Sequence, residues 1–299
     1  MINLKKNFFH SKKTQAILMM SPFLLLFILF TILPVASSMV LSFFNYDMIS
    51  KPSFIGFNNY LRMFASDEIF MIVLKNTILF AIVTGPLGFI LAFVLAWFIN
   101  EFSPKVRTLL SFMFYTPSLV GNAFYIWQVA FSSDSYGYIN SMLLSLGIIA
   151  EPILWLKDSR FIFIIVVIVQ LWQSMGISFL ANISGLQNID AGLYEAGSID
   201  GIRSRWQELW YITLPTMKNM LIFSAVMAVQ SSFSAGTISA ALAGYPSVDF
   251  SVDMMVQYMA DVGTIKYEMG YASSIAAVLF LLMIVARSIF IKVLNKTGE

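Results

Sequence analysis

The stretch NTILFAIVTGPLGFILAFVLAWFIN, residues 76–100, has no charged side chain over 25 consecutive positions. A helix needs about 20 apolar residues to cross the roughly 30 Å hydrocarbon core of a bilayer. In lipid, backbone N–H and C=O groups find no water, and a helix pairs them within the segment itself. The stretch therefore predicts a transmembrane α-helix.

Apolar segments of similar length recur along the whole chain of 299 residues. Hydrophobic residues make up 59% and charged residues 11% of it, whereas about a quarter of a soluble domain is charged. Arg287 interrupts the last apolar segment, near an end where its side chain can reach the interface. We predict an all-α polytopic membrane protein with six helices, in a domain 16–291 flanked by tails 1–15 and 292–299. The other five predicted spans are 14–46, 108–133, 161–189, 219–248 and 269–291.

The distribution of lysine and arginine predicts the orientation. If six spans cross the membrane, twelve of the 18 lysine and arginine residues lie on the side of the two termini and six on the other. Because positive residues favour the cytoplasmic side, both termini and the connection 184–218 are expected in the cytoplasm. On the outer side, residues 54–64 and 136–147 have apolar residues at near-helical spacing and predict two short interfacial helices. Pro22 and Pro34 are expected to bend or end the first helix.

Several functional classes find no support in the residues. The net charge of +2 and the lack of dense basic runs argue against nucleic acid as a partner, and a chain without cysteine has neither disulfides nor thiolate metal sites. His10, the single histidine, stands in the basic N-terminal tail, so no metal site is expected. There is no G-x-x-x-x-G-K-[ST] phosphate loop and no catalytic Ser/His/Asp cluster. The chain is therefore not expected to be an enzyme, and a motor for transport would be another polypeptide.

The connection 184–218 predicts a helix–turn–helix. Asp190 is placed to cap the first helix, and Gly201 is placed to take the positive φ that ends it. Pro215 stands where a further helix would begin. The second helix is predicted from an apolar stripe at i, i+4 and i+7, formed by Ile202, Trp206 and Leu209. From these residues alone, a docking element for a partner and a solvated connector are equally good interpretations.

The same connection resembles the EAA signature of permease subunits in ATP-binding-cassette (ABC) importers. That signature is Glu-Ala-Ala, three residues, Gly, nine residues, then Ile-x-Leu-Pro. This chain has Glu195-Ala196-Gly197, then Gly201, then Ile212-Thr213-Leu214-Pro215. It departs twice: Gly197 replaces the second alanine, a change that keeps room for a close partner, and ten residues separate Gly201 from Ile212.

The resemblance extends to the sugar-type permeases, the maltose- and glycerol-phosphate-like subfamily, through the outer segments FIGFNNYLRMF (54–64), YGYINSMLLSLG (136–147) and GYPS (244–247). It implies a type I importer permease fold in a bacterial or archaeal cytoplasmic membrane. It also implies two ATPase subunits that hold ATP and magnesium, an extracytoplasmic sugar-binding protein and a second, different permease chain. This chain itself would bind no cofactor. The residues implied to contact the ATPase are Glu195, Ala196, Gly197, Asp200, Gly201, Trp206, Leu214 and Pro215.

A sugar path needs polar and aromatic side chains inside apolar helices, where polar groups facing lipid are costly. Three clusters fit this description, and helix–helix hydrogen bonding is the competing interpretation for each residue in them. The candidates are Asn122, Tyr125 and Gln128 in the third span; Trp172, Gln173 and Ser174 in the fourth; and Gln230, Ser231, Ser232, Phe233 and Ser234 in the fifth.

The predicted function is the permease subunit of an ATP-driven carbohydrate importer, for a di- or oligosaccharide. Within the same class, the cargo could be glycerol phosphate, a polyamine or another small polar solute. A gradient-driven transporter acting alone is the alternative from a different class. The EAA pattern argues against it, as does the lack of acidic or basic residues deep in the predicted spans.

Overall fold

The computed structural model describes the backbone of residues 12–296 and the side chains of residues 15–295. His10 and most of the predicted N-terminal tail lie outside the described residues. Within these limits the chain is mostly helical, as its composition predicts. It forms two compact units, one from residues up to 65 together with 259–278, and one from 66–258 together with the C-terminal segment.

The first unit begins with a helical run in which neither predicted proline ends the helix. Pro22 lies inside its first helix, and Pro34 lies in the first turn after a π turn. A π turn shifts the backbone hydrogen-bond register, which accommodates the missing N–H of Pro34. The elements are α1 (Lys12–Phe27), the π turn Ile28–Ile32, α2 (Leu33–Leu41), strands β1 (Phe44–Asn45) and β2 (Ser53–Phe54), and α3 (Asn58–Ala65).

A buried amide holds α3 against the end of α2. The strands pair antiparallel, with Phe44 opposite Phe54. The buried Asn59 donates from Nδ2 to the carbonyl oxygens of Ser42, at 2.9 Å, and Phe44, at 3.1 Å. The helix predicted within 54–64 is thus confirmed as α3, and its position depends on this side chain.

The second unit contains the long helices and the connection 184–218. Its elements, in chain order, are α4 (Glu68–Asn100), α5 (Pro104–Leu119), α6 (Tyr125–Ala130), α7 (Tyr138–Ser145), α8 (Ser159–Ser174), α9 (Ile177–Gln187), α10 (Ala191–Ile199), α11 (Arg205–Glu208), the π turn Leu209–Thr213, α12 (Leu214–Thr216), α13 (Lys218–Phe233), α14 (Gly236–Ala243) and the 3₁₀ turn Val248–Phe250. The helix predicted within 136–147 is confirmed as α7. Two elements belong to both units: α15 (Met255–Ala260), which a π turn Asp261–Ile265 follows, and α16 (Met269–Lys296).

Four helical segments of the described chain are long and apolar enough to cross a membrane, namely 15–41, 68–100, 218–243 and 269–295. The helices α8 and α9 make a fifth if they are one span, and they are bent by 43° at their junction. The third predicted span, 108–133, is instead two helices, α5 and α6, with a turn at 120–124 between them. The prediction of continuous helices is therefore corrected there, while six crossings stays a prediction.

Two apolar clusters form the core of the second unit. One joins Phe80 of α4 to α8 and α14 through residues such as Val166, Val169 and Ile238. The other joins Phe93 and Ala96 of α4 to α9 and α13. Because α4 takes part in both clusters, it is the central helix of this unit.

The loop between α6 and α8 is organised around one buried side chain. Asn140 donates from Nδ2 to the carbonyl oxygens of Ser132, Asp134 and Ile153. Its Oδ1 accepts from the Ile153 N–H at 3.1 Å and from Trp155 Nε1 at 2.8 Å. One amide thus pairs backbone groups from both ends of the loop, which fixes the loop's conformation.

We expect Asn140→Ala to destabilise this loop by about 2–4 kcal/mol, because it leaves several buried donors and acceptors without partners. Limited proteolysis of the purified protein within 132–158 should accelerate accordingly. Ser141→Ala, an exposed position on the same helix, should change stability by less than about 0.5 kcal/mol. Equal proteolysis rates for the two variants would contradict the assigned role of Asn140.

Candidate functional site

The connection 184–218 folds as a helical hairpin, which we call the EAA hairpin (residues 190–216). Asp190 caps α10 by accepting a hydrogen bond from the Gly192 N–H at 3.0 Å. Gly201 has φ of +97°, and the Ile202 N–H donates back to the Gly197 carbonyl at 2.9 Å. The predicted N-cap and the predicted glycine turn are therefore confirmed.

The second arm of the hairpin contains a feature that the sequence analysis missed. Ser204 and Gln207 form a reciprocal capping box at the start of α11. The π turn Leu209–Thr213 follows α11, and the Leu214 N–H closes it by donating to the Leu209 carbonyl. A π turn holds one residue more than an α turn. The π turn therefore accommodates the tenth residue between Gly201 and Ile212 without a break in the helical arm.

Gly197 lies on the inner face of the hairpin, against its other arm. This corrects the prediction that Gly197 leaves room for a partner to approach. A Cβ atom at this position would lie 2.7 Å from Ile212 Cδ1 and 3.2 Å from Ile202 Cδ1. Ile212 belongs to the π turn. The two departures from the EAA pattern thus meet at one contact, where the arm containing the extra residue packs against the glycine.

The other predicted coupling residues differ in exposure. Glu195, Ala196 and Asp200 lie on the open surface of α10 and its end, and Gly201 and Pro215 are exposed. Trp206 is 63% exposed, and Leu214 is half-buried. Leu209 is buried, so the predicted stripe of Ile202, Trp206 and Leu209 is only partly an inner face. The surface left for a partner is centred on Glu195, Ala196 and Asp200.

A second candidate site lies where three helical runs are interrupted. Residues 120–124 separate α5 from α6, residues 175–176 separate α8 from α9, and residues 234–235 separate α13 from α14. At the second break, Gly176 has ψ of −101° and no side chain caps α9. A Cβ at Gly176 would lie 2.6 Å from Ser118 Cβ, so the end of α5 packs directly against this break.

A cavity of about 230 Å³, which we call the break cavity, lies at the second of these interruptions, between α5, α8, α9 and α13. It brings together the predicted residues Gln173, Ser174 and Ser231. Gln173 Oε1 is buried and has no hydrogen-bond partner among the described residues. The sequence analysis missed the other lining residues, which are Tyr115, Ser118, Gly176, Ile177, Ser178 and Met227. A glycine between polar residues inside a predicted span was the available signal.

Hydrogen bonds between helices surround the break cavity. Gln170 Nε2 donates to the Ser231 carbonyl at 3.1 Å and to Ser231 Oγ at 3.0 Å. Asn182 Nδ2 donates to Ser224 Oγ at 3.1 Å, in a fully buried contact between α9 and α13. These pairs join helices, so helix–helix bonding accounts for part of the polarity. Helix–helix bonding does not account for the buried Gln173 Oε1, which has no hydrogen-bond partner among the described residues.

The remaining path candidates lie elsewhere. Asn122 is exposed in the first break, and Gln230 and Ser234 are exposed. Ser232 and Phe233 are buried and line an apolar cavity between α4, α13 and α16. Tyr125 is half exposed and packs against Phe124. Trp172 stands edge-on to Trp127, with ring centroids 5.6 Å apart.

Gln128 lines a separate cavity of about 430 Å³, the loop cavity, together with Ser132, Asp134 and Lys157. Hydrogen bonds from the Ser132 hydroxyl, Gly137 N–H and Tyr136 N–H lower the pKa of Asp134, so its carboxyl is ionised at neutral pH. Both Gln128 and Trp127 belong to α6, and Trp127 also contacts Trp172, the neighbour of Gln173. Short helix α6 thus links the loop cavity to the break cavity.

The different surroundings of Gly197 and Ala196 give a test of the hairpin. Gly197→Leu should destabilise the protein by about 1–3 kcal/mol, because the new side chain must displace Ile212. Ala196→Leu, on the open surface, should change stability by less than about 0.5 kcal/mol. Thermal unfolding of the purified variants measures both. An equally small effect of the two substitutions would contradict the packing assigned to Gly197.

Comparison with known proteins identifies the family of this chain. Residues 85–297 match the model of a family described as the binding-protein-dependent transport system inner membrane component. The chain is 30% identical to the probable ABC transporter permease protein YesP of Bacillus subtilis, over 88% of this chain and 84% of that protein. It is 33% identical to the lactose transport system permease protein LacF of Rhizobium radiobacter, over 70% and 69%.

The fold is shared with a chain in the crystal structure of a bacterial ABC transporter involved in the import of the acidic polysaccharide alginate. The TM-score is 0.80 and the identity 22%, over 99% of this chain and 100% of that one. The family match covers more than half of the chain and includes the EAA hairpin and the break cavity. The chain therefore belongs to the family of inner membrane components of binding-protein-dependent transport systems.

Proposed function

We propose that this chain is the transmembrane permease subunit of an ATP-driven importer for carbohydrate, with six membrane helices and both termini in the cytoplasm. It forms half of the pore and couples to an ATPase through the EAA hairpin. The observation that carries the proposal is the break cavity, which lies at the interruption between α8 and α9 and is lined by several hydroxyl and amide groups. Irregular backbone at membrane depth is tolerated where it lines a cavity or is buried in protein.

A carbohydrate fits the chemistry of the path. The break cavity is lined by hydroxyl and amide groups, with no charged side chain in its lining. Such groups match sugar hydroxyls, whereas the ionic cargoes, glycerol phosphate and polyamines, would leave a charge unpaired. The lactose permease relative supports the same cargo class. In our proposal cargo passes from the loop cavity along Trp127 and Trp172 to Gln173.

The partners follow from the family and from the hairpin. The family's name implies a binding protein, which would deliver cargo at the outer loops. Two ATPase subunits would hold ATP and magnesium, and a second, different permease chain would complete the pore. The lysine and arginine distribution supports a cytoplasmic hairpin, where Glu195 and Ala196 are open to a docking subunit.

The cargo path is tested by Gln173→Ala in the assembled importer in proteoliposomes, with a panel of labelled lactose, arabinose oligosaccharides and alginate oligosaccharides as probes. For the probe that the importer transports, the KM of uptake should rise about threefold to tenfold, the effect of losing one hydrogen bond. Gln230→Ala removes the same amide from an exposed position and should leave KM unchanged. A larger effect of Gln230→Ala would exclude the break cavity as the path.

Docking is tested by charge reversal on the open face of α10. Glu195→Lys should abolish co-purification of the ATPase subunit with the permease and reduce uptake to background, because the substitution places a like or unpaired charge in the contact. Glu151→Lys, an exposed residue of the loop between α7 and α8, should retain the ATPase subunit. If the ATPase remains bound to the Glu195→Lys protein, the hairpin is not the docking element.

A further inference from the structure

A salt bridge and a ring contact join the EAA hairpin to α4, to which the hairpin has no direct chain connection. Arg205 Nη2 lies 2.6 Å from Glu101 Oε2, between residues 104 positions apart in the chain. The ring centroids of Trp206 and Trp97 are 5.4 Å apart. The chain itself ties the hairpin only to α9 and α13. These two contacts add to the buried Leu209 of the hairpin, which belongs to the same apolar cluster as Ala96 and Ile99 of α4, and so give the hairpin a third attachment.

The attachment spans a gap. A polar cavity of about 240 Å³ lies between the hairpin and the end of α4, and Trp97, Glu101, Arg205 and Glu208 are among the residues that line it. Arg205 Nη1 also lies 2.9 Å from the carboxylate of Glu208, on the same helix. Glu208 therefore orients the guanidinium that contacts Glu101. Side chains that extend across this cavity thus connect the hairpin to the end of α4.

The ion pair contributes little to the stability of the fold. The side chains of Arg205 and Glu101 are 63% and 42% exposed, and an exposed ion pair contributes little because water screens its charges. Its removal should therefore leave the protein folded. A contact of this kind can still decide which elements move together, since it links two surfaces at a defined point.

The helix α4 leads from this contact to the break cavity. Gly88 lies thirteen residues before Glu101, about 20 Å along the helix. A Cβ at Gly88 would lie 3.2 Å from Ser174 Oγ, and Ser174 lines the break cavity. A displacement of the end of α4 would therefore reach the cavity wall through a packed contact.

We propose that Arg205 is a positioning residue that, through Glu101 and with Trp206 on Trp97, transmits the movement of the EAA hairpin to α4 and so to the break cavity. This inference rests on the proposed docking of the hairpin on an ATPase. Movement of the docked hairpin then displaces α4 together with α9 and α13. Residues of α9 and α13 line the break cavity, and α4 packs against its wall at Ser174, so a joint displacement of the three helices changes its shape.

The test is a charge swap in the assembled importer, with cargo uptake per ATP hydrolysed as the readout. All variants contain Glu208→Gln, which removes the second carboxylate near the guanidinium. Glu101→Arg and Arg205→Glu should each lower the uptake ratio about tenfold, within the usual range of coupling between sites. The double variant restores opposite charges and should return to within about threefold of the Glu208→Gln protein.

Lys105→Glu is the control for a charge reversal near Glu101, at an exposed position in the first turn of α5, and should leave the uptake ratio unchanged. A double variant no better than the single variants, or an equal loss with Lys105→Glu, would overturn the proposal. So would loss of the ATPase subunit from the Arg205→Glu protein, because Arg205 would then belong to the docking surface. Retention of the ATPase by Glu195→Lys would refute the docking hypothesis, while the charge swap could still be evaluated.

Discussion

Backbone hydrogen bonding in apolar surroundings is the constraint on which this structure depends. With 59% hydrophobic residues, the chain has few side chains able to pair a free N–H or C=O, so helices that pair these groups internally form most of it. An interruption exposes polar backbone and is tolerated only beside other polar groups or a cavity. The break at 175–176 satisfies this condition, since Gly176 and its polar neighbours line the break cavity.

Helix packing decides which polar residues form hydrogen bonds between helices and which line a cavity instead. Gln170 and Asn182 are paired with α13, through Ser231 and Ser224. Gln173 is one turn from Gln170, yet its Oε1 has no such partner. The same residue type therefore joins two helices at one position and lines a cavity at the next.

The EAA hairpin combines local and long-range determinants. Its first helix begins and ends through residues within the hairpin, Asp190 and Gly201. Its second arm depends on the π turn, which accommodates the extra residue and brings Ile212 against Gly197. The surface left open on α10 is therefore a consequence of how the two arms pack. Gly197 faces inward, and Glu195 and Ala196 face outward.

The sequence by itself determined the helical class, the places of most long helices, the two short loop helices, the cap at Asp190 and the turn at Gly201. All of these depend on hydrophobicity or on residues within a few positions of one another. Only the tertiary structure decided the break at Gly176, which meets Ser118 of α5, the inward position of Gly197, and the placement of Gln173 in the break cavity whereas Gln230 is exposed. These depend on how helices rotate and approach one another, and contacts between distant residues leave no local pattern in the chain.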